Sequence, residues 1–130
     1  IKRAVRLAER LEVPNIVFGC PNARRLPAGM LPEEALSIAY EQFYELGSVA
    51  EESGCTLNIE ANAQSDSPDF LNDYFEVISF VKELDHPGVS LVLDLGSILV
   101  TDHLSRLTEL LGLSNNIISH DIYITIIDIL

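Results

Sequence analysis

Apolar residues along this chain alternate between two rhythms. Stretches with apolar positions three or four apart are separated by short runs that are apolar nearly throughout. From Lys2 to Leu11, Ala4, Leu7, Ala8 and Leu11 fall on one face, which predicts a helix. Pro14 ends it, and Asn15-Ile16-Val17-Phe18 reads as a short buried strand closed by Gly19. A proline-rich loop from Cys20 to Leu31 follows. Pro32 suits a first helical turn, where Glu33 and Glu34 complement the helix dipole. Leu36, Ala39, Phe43, Leu46 and Ala50 carry that helix to a stop at Gly54.

The remaining elements repeat the scheme. Thr56 to Glu60 is the next strand, and Ser67-Pro68-Asp69 is expected to open a helix with Leu71, Tyr74, Ile78 and Val81 inward. His86-Pro87-Gly88 turns the chain into the strand Val89 to Asp94. A shorter helix is expected from about Asp102 to Leu111, closed by Gly112, with Leu104, Leu107 and Leu111 inward. Ile117 to Ile124 reads as a last strand. Continuous apolar strands separated by amphipathic helices signal an α/β fold with a parallel sheet. Periodicity does not separate a barrel from an open sheet. No GxGxxG or GxxxxGK[ST] run marks a nucleotide-binding one.

The 130 residues suit a single domain, 1–130, and an apolar content of 48% argues against disorder. No apolar run reaches the roughly 18 to 20 residues that span a bilayer, so no membrane partner is expected. The first residues, Ile1-Lys2-Arg3-Ala4-Val5-Arg6, do not resemble a signal peptide, and there is no initiator Met. The expectation is an excerpt of a cytoplasmic protein. Cys20 and Cys55, 35 positions apart, match no zinc spacing and are expected to be reduced structural thiols. His86 and His103 flank turns and are read as surface residues. The net charge of −12 is uneven: residues 1–25 carry +4, which leaves −16 on the rest. Such acidity disfavours a nucleic-acid partner, which needs clustered Lys and Arg.

Candidate chemistry lies where strands end. Glu60 closes Leu57-Asn58-Ile59 and Asp94 closes Leu91-Val92-Leu93, the ends at which α/β barrels and open sheets bind ligands. Adjacent strands run roughly 4.8 Å apart, so two acids at equal depth repel unless a cation or a proton lies between them. Hard oxygen donors suit Mg²⁺ or Mn²⁺, and an added imidazole shifts the choice towards Mn²⁺, Co²⁺ or Zn²⁺. His120, in the last strand region, is the candidate imidazole. Arg24, in the loop after the first strand, could grip a sugar hydroxyl or a phosphate.

Three runs, Val17-Phe18-Gly19-Cys20-Pro21-Asn22-Ala23-Arg24, Leu57-Asn58-Ile59-Glu60 and Val92-Leu93-Asp94-Leu95-Gly96, resemble the xylose-isomerase-like superfamily of TIM barrels. That group includes sugar-phosphate isomerases and epimerases. The resemblance implies a partial (β/α)8 barrel, about four consecutive parallel strands, the third to the sixth. It implies one divalent metal held by a Glu after the fourth strand, an Asp after the fifth, a His after the sixth and a Glu after the eighth. Glu60, Asp94 and His120 would take the first three places, with Glu60 also moving protons beside a sugar carbonyl. Arg24, Asn62 and Ser97 would touch the substrate. Three positions depart from the family pattern: Ser97 stands where a His is common, His120 lacks a His two places on, and Ala61 replaces a Pro. A full barrel takes about 250 residues. The fourth ligand and the other strands would therefore come from elsewhere, whether another segment or a homo-oligomeric partner. The reading implied is a metal-dependent isomerase or epimerase of a sugar or sugar phosphate. The alternative is a non-catalytic relative binding a sugar or a protein partner; the superfamily's abasic-site endonuclease branch is disfavoured by charge.

Overall fold

The computed structural model describes residues 1–62, 70–100 and 103–114. Strands β1 (Asn15–Phe18), β2 (Thr56–Ile59) and β3 (Val89–Leu91) form one parallel sheet in the order β1-β2-β3. Ile16 pairs with Leu57 and Phe18 with Ile59, while Ile59 pairs with Leu91. Helices join the strands, as parallel crossovers require. This is the α/β architecture of a partial TIM barrel. The fourth expected strand, 117–124, lies outside the described residues.

Side-chain alternation divides the sheet between two environments. Leu57, Ile59, Val89 and Leu91 share the core with the helices. Val92 is equally buried but stands apart from that cluster, on the face where Asn58 and Glu60 also lie. Phe43 of helix α2 (Pro32–Glu52) joins the layers, meeting Phe18 and Phe80 edge-on at 5.3 and 5.4 Å. Such pairs add about 0.5–1.5 kcal/mol each beyond their burial. Helix α3 (Tyr74–Leu84) buries Tyr74, Val77, Ile78, Phe80, Val81 and Leu84.

Several expectations needed correction. Helix α1 (Lys2–Arg10) forms as expected, but it buries Val5 and Ala8, leaving Leu7 52% and Leu11 63% exposed. Among the described residues it packs mainly on α2 and β1, so a narrow stripe suffices. Leu36 is likewise on the outer side of α2, whose inner face is Ala35, Ala39, Phe43, Leu46 and Ala50. Helix α3 begins at Tyr74, and the expected opening at Ser67-Pro68-Asp69 lies outside the described residues. Asp73 caps it by accepting from the Glu76 N–H at 2.9 Å, and Glu76 accepts from the Asn72 N–H at 2.7 Å. This reciprocal arrangement fixes the start. After β3 the chain turns at once into α4 (Leu95–Val100). A 3₁₀ turn, His103–Arg106, then leads to α5 (Leu107–Ser114), which runs through Gly112 and buries Leu110 rather than Leu111.

His86 is buried, not a surface residue. Its Nδ1 accepts from the Gly88 N–H at 3.0 Å, so Nε2 carries the proton and donates to Ser48 Oγ at 3.1 Å. The turn presses close against α2 there: a Cβ on Gly88 would collide with the Gly47 carbonyl. Both cysteines are free, Cys55 buried and Cys20 exposed. Among the described residues no helix is long and apolar enough to cross a membrane.

Candidate functional site

The C-terminal ends of β2 and β3 bring the two predicted carboxylates into contact. Glu60 is the first residue beyond β2, and its N–H donates to Phe18 O at 3.2 Å, continuing the ladder to β1. The Val92 N–H donates to Ile59 O at 3.1 Å, which sets Val92 opposite Glu60 and Asp94 one step further along the same face. The side chains of Glu60 and Asp94 are hydrogen-bonded to each other. Burial, the Asp94 charge and that hydrogen bond together push the Glu60 carboxyl up to about 7, with Arg24 opposing. Near neutrality Glu60 can therefore keep its proton and donate it to Asp94.

The chain orients Asp94 firmly. Its Oδ1 accepts from the Gly96 N–H at 3.0 Å, and its Oδ2 from the Ser97 N–H and hydroxyl at 3.4 and 3.2 Å. The buried Tyr74 hydroxyl donates to Asp94 O at 3.2 Å and accepts from the Asp94 N–H at 2.9 Å. Burial is the main reason that the Tyr74 hydroxyl is hard to ionise. Asp94 is therefore tethered by both its main chain and its carboxylate.

Glu60 owes its seat to Gly19. A Cβ at Gly19 would overlap Glu60 Oε2, so the loop after β1 leaves room that only glycine can leave. The sequence showed Gly19 as the end of a strand, not as the neighbour of an acid on another one. Tyr74 was read as a core residue, and it is one. The missed signal was its hydroxyl, which needs a partner when buried.

Arg24 occupies a different position from the one expected. It is 1% exposed, beside the Phe18 ring at 5.2 Å, and its guanidinium faces main chain. It donates to Phe18 O at 2.8 Å, Glu60 O at 2.6 Å and Leu71 O at 2.9 Å. Burial pulls its pKa down to about 10, with Glu60 and Cys20 pushing upward. Arg24 clamps strand ends through its two terminal nitrogens, while its buried Nε has no partner among the described residues.

Ser97, also expected to touch substrate, donates its hydroxyl to Asp94. Asn62, two residues beyond Glu60, is 7% exposed, and its Oδ1 has no partner among the described residues. His120 lies outside them. No group of three or more His, Cys, Asp or Glu residues that could hold a metal is present among the described residues. The pair that is present fits a hard cation chemically. Two abutting carboxylate oxygens that otherwise need a shared proton offer what such an ion replaces.

A family model described as xylose isomerase-like TIM barrel matches residues 1–125. No curated protein matches the chain.

Proposed function

Since the chain belongs to the xylose isomerase-like TIM barrel family, which includes sugar isomerases and epimerases, we propose that it serves a divalent-metal-dependent isomerase or epimerase of a sugar or sugar phosphate. The observation carrying this reading is the contact between Glu60 and Asp94 at adjacent strand ends. Those two residues would hold the ion, with His120 as the expected third donor. A bound cation would supply a Lewis acid that polarises a substrate carbonyl.

The chain's own residues account for the proton chemistry. Glu60, poised at about 7, can take a proton from a carbon beside the carbonyl and return it at neutral pH. Asp94, fixed by Gly96 and Ser97, keeps its oxygens aimed at the same point. The unpartnered Oδ1 of Asn62 accepts a substrate hydroxyl, relieving the cost of a buried bare acceptor. Arg24 holds the Glu60 main chain in place from below.

Titration calorimetry with Mn²⁺, together with deuterium exchange into a panel of aldoses, ketoses and their phosphates, tests this reading. The native chain should bind one Mn²⁺ and exchange a carbon-bound proton, and Glu60→Gln should do neither. Unchanged exchange in Glu60→Gln would reject the assignment. A native chain that binds sugar but no Mn²⁺ would favour the non-catalytic alternative.

A further inference from the structure

The ladder between β2 and β3 ends just below the two acids. The Val92 N–H donates to Ile59 O at 3.1 Å, and alternate residues of a strand aim their N–H groups to the same side. The Asp94 N–H therefore points towards β2 as well, at a level where β2, which ends at Ile59, has already stopped. One atom from the helix layer takes it instead. The Tyr74 hydroxyl accepts from the Asp94 N–H at 2.9 Å and donates to Asp94 O at 3.2 Å. That same carbonyl accepts the Ile98 N–H at 3.0 Å and so opens α4. A phenol oxygen thus occupies the place that a further residue of β2 would take in a longer ladder. Tyr74 is fully buried, so water does not compete for the position.

Tyr74 is itself placed from both directions along the chain. Asp73 caps the helix that Tyr74 begins. Three residues earlier, Leu71 adopts a φ of 56°, a left-handed conformation that a leucine rarely takes, and Arg24 holds its carbonyl at 2.9 Å. The same guanidinium holds the Glu60 carbonyl at 2.6 Å. One frame therefore ties the two acids, running from the Glu60 main chain through Arg24 and Leu71 to Tyr74 and the Asp94 main chain. The Ser97 hydroxyl, which donates to Asp94 Oδ2 at 3.2 Å, is hydrogen-bonded with Tyr74 as well, so the frame reaches the carboxylate.

We propose that Tyr74 is the positioning residue of the carboxylate pair: its hydroxyl replaces an absent strand neighbour and holds Asp94 at the depth where it meets Glu60. Tyr74 touches no reacting atom in this arrangement and acts through Asp94. For the ion, this role rests on the metal-site reading given above; for the placement of Asp94, it does not.

Amide hydrogen exchange and Mn²⁺ calorimetry on the 130-residue chain test the assignment. Tyr74→Phe keeps the ring and removes only the hydroxyl. The Asp94 amide should then exchange at least about tenfold faster, and Mn²⁺ affinity should fall about 10- to 100-fold, with unchanged circular dichroism. Val81→Ala, at a buried position two turns along α3, controls for destabilisation alone. It should lower the melting temperature and leave Mn²⁺ affinity as it is. Native-like Asp94 exchange or native Mn²⁺ affinity in Tyr74→Phe, or an equal loss of affinity in Val81→Ala, would overturn the assignment. So would a native chain without a slowly exchanging Tyr74 hydroxyl resonance in contact with the Asp94 amide, a measurement that needs no variant to fold. A native chain that takes up no Mn²⁺ rejects the metal reading alone. Asp94 exchange then decides the role of Tyr74, faster exchange in Tyr74→Phe supporting it and native-like exchange refuting it.

Discussion

Glu60 sits in an environment far from that of its free side chain. Its carboxyl titrates near 7 in the fold against an ordinary value of 4.5, because burial and Asp94 both oppose its charge. A raised folded-state pKa means that the native state holds this proton more tightly than the unfolded chain does. The stabilisation is complete below about 4.5 and is lost as pH rises through about 7. At 1.36 kcal/mol per unit the ceiling is about 3 kcal/mol, which screening of this partly exposed group reduces to roughly 1–2. Metal-free protein should therefore lose more thermal stability between about pH 5.5 and pH 8 than Glu60→Gln does. Parallel melting curves would show it, and identical pH dependence would contradict the shared proton. Gly19→Ala tests the same seat from the other side. The added methyl displaces Glu60 Oε2 while leaving the core untouched. Mn²⁺ affinity should fall about 10- to 100-fold, with little change in circular dichroism. Gly19 and Glu60 are both readable in the sequence, but their contact spans 41 positions and belongs to the strand pairing.

At the scale of elements, the strand ends are joined by one buried cation. Arg24 draws together the carbonyl of Phe18 from β1, that of Glu60 from β2 and that of Leu71 ahead of α3. Arg24→Ala would strand these acceptors and open a cavity. It should cost about 3 kcal/mol or more, read as a lower urea midpoint. A change below about 0.5 kcal/mol would mean that solvent replaces the guanidinium freely. Element types were legible because period and punctuation agree: Pro14, Pro32, Gly54 and Pro87 mark real boundaries of helix or strand. Faces were less legible. Leu7, Leu11 and Leu36 fit an apolar stripe on a helical wheel, yet all three face outward. The wheel shows which residues share a side; neighbouring elements select the side that is buried.

On the scale of the whole molecule, charge and topology act together. A net charge of −12 on 130 residues repels itself in the folded state. Moving from about 20 mM to about 300 mM NaCl contracts the screening length and should raise the melting temperature by a few degrees. A fall would show that specific ion pairs outweigh the general repulsion. The amino-acid sequence by itself determined the alternation of helices and parallel strands, and it placed Glu60 and Asp94 at strand ends. Hydrophobic period, proline and glycine are local quantities, and they carry that information. Only the tertiary structure decided that those carboxylates touch, that Gly19 makes their space, that Tyr74 and Ser97 steady Asp94, and that Arg24 serves the backbone. Each of these is a contact between residues distant along the chain or a choice among hydrogen-bond partners. Such choices are settled by strand register and burial, which exist only once the elements have packed.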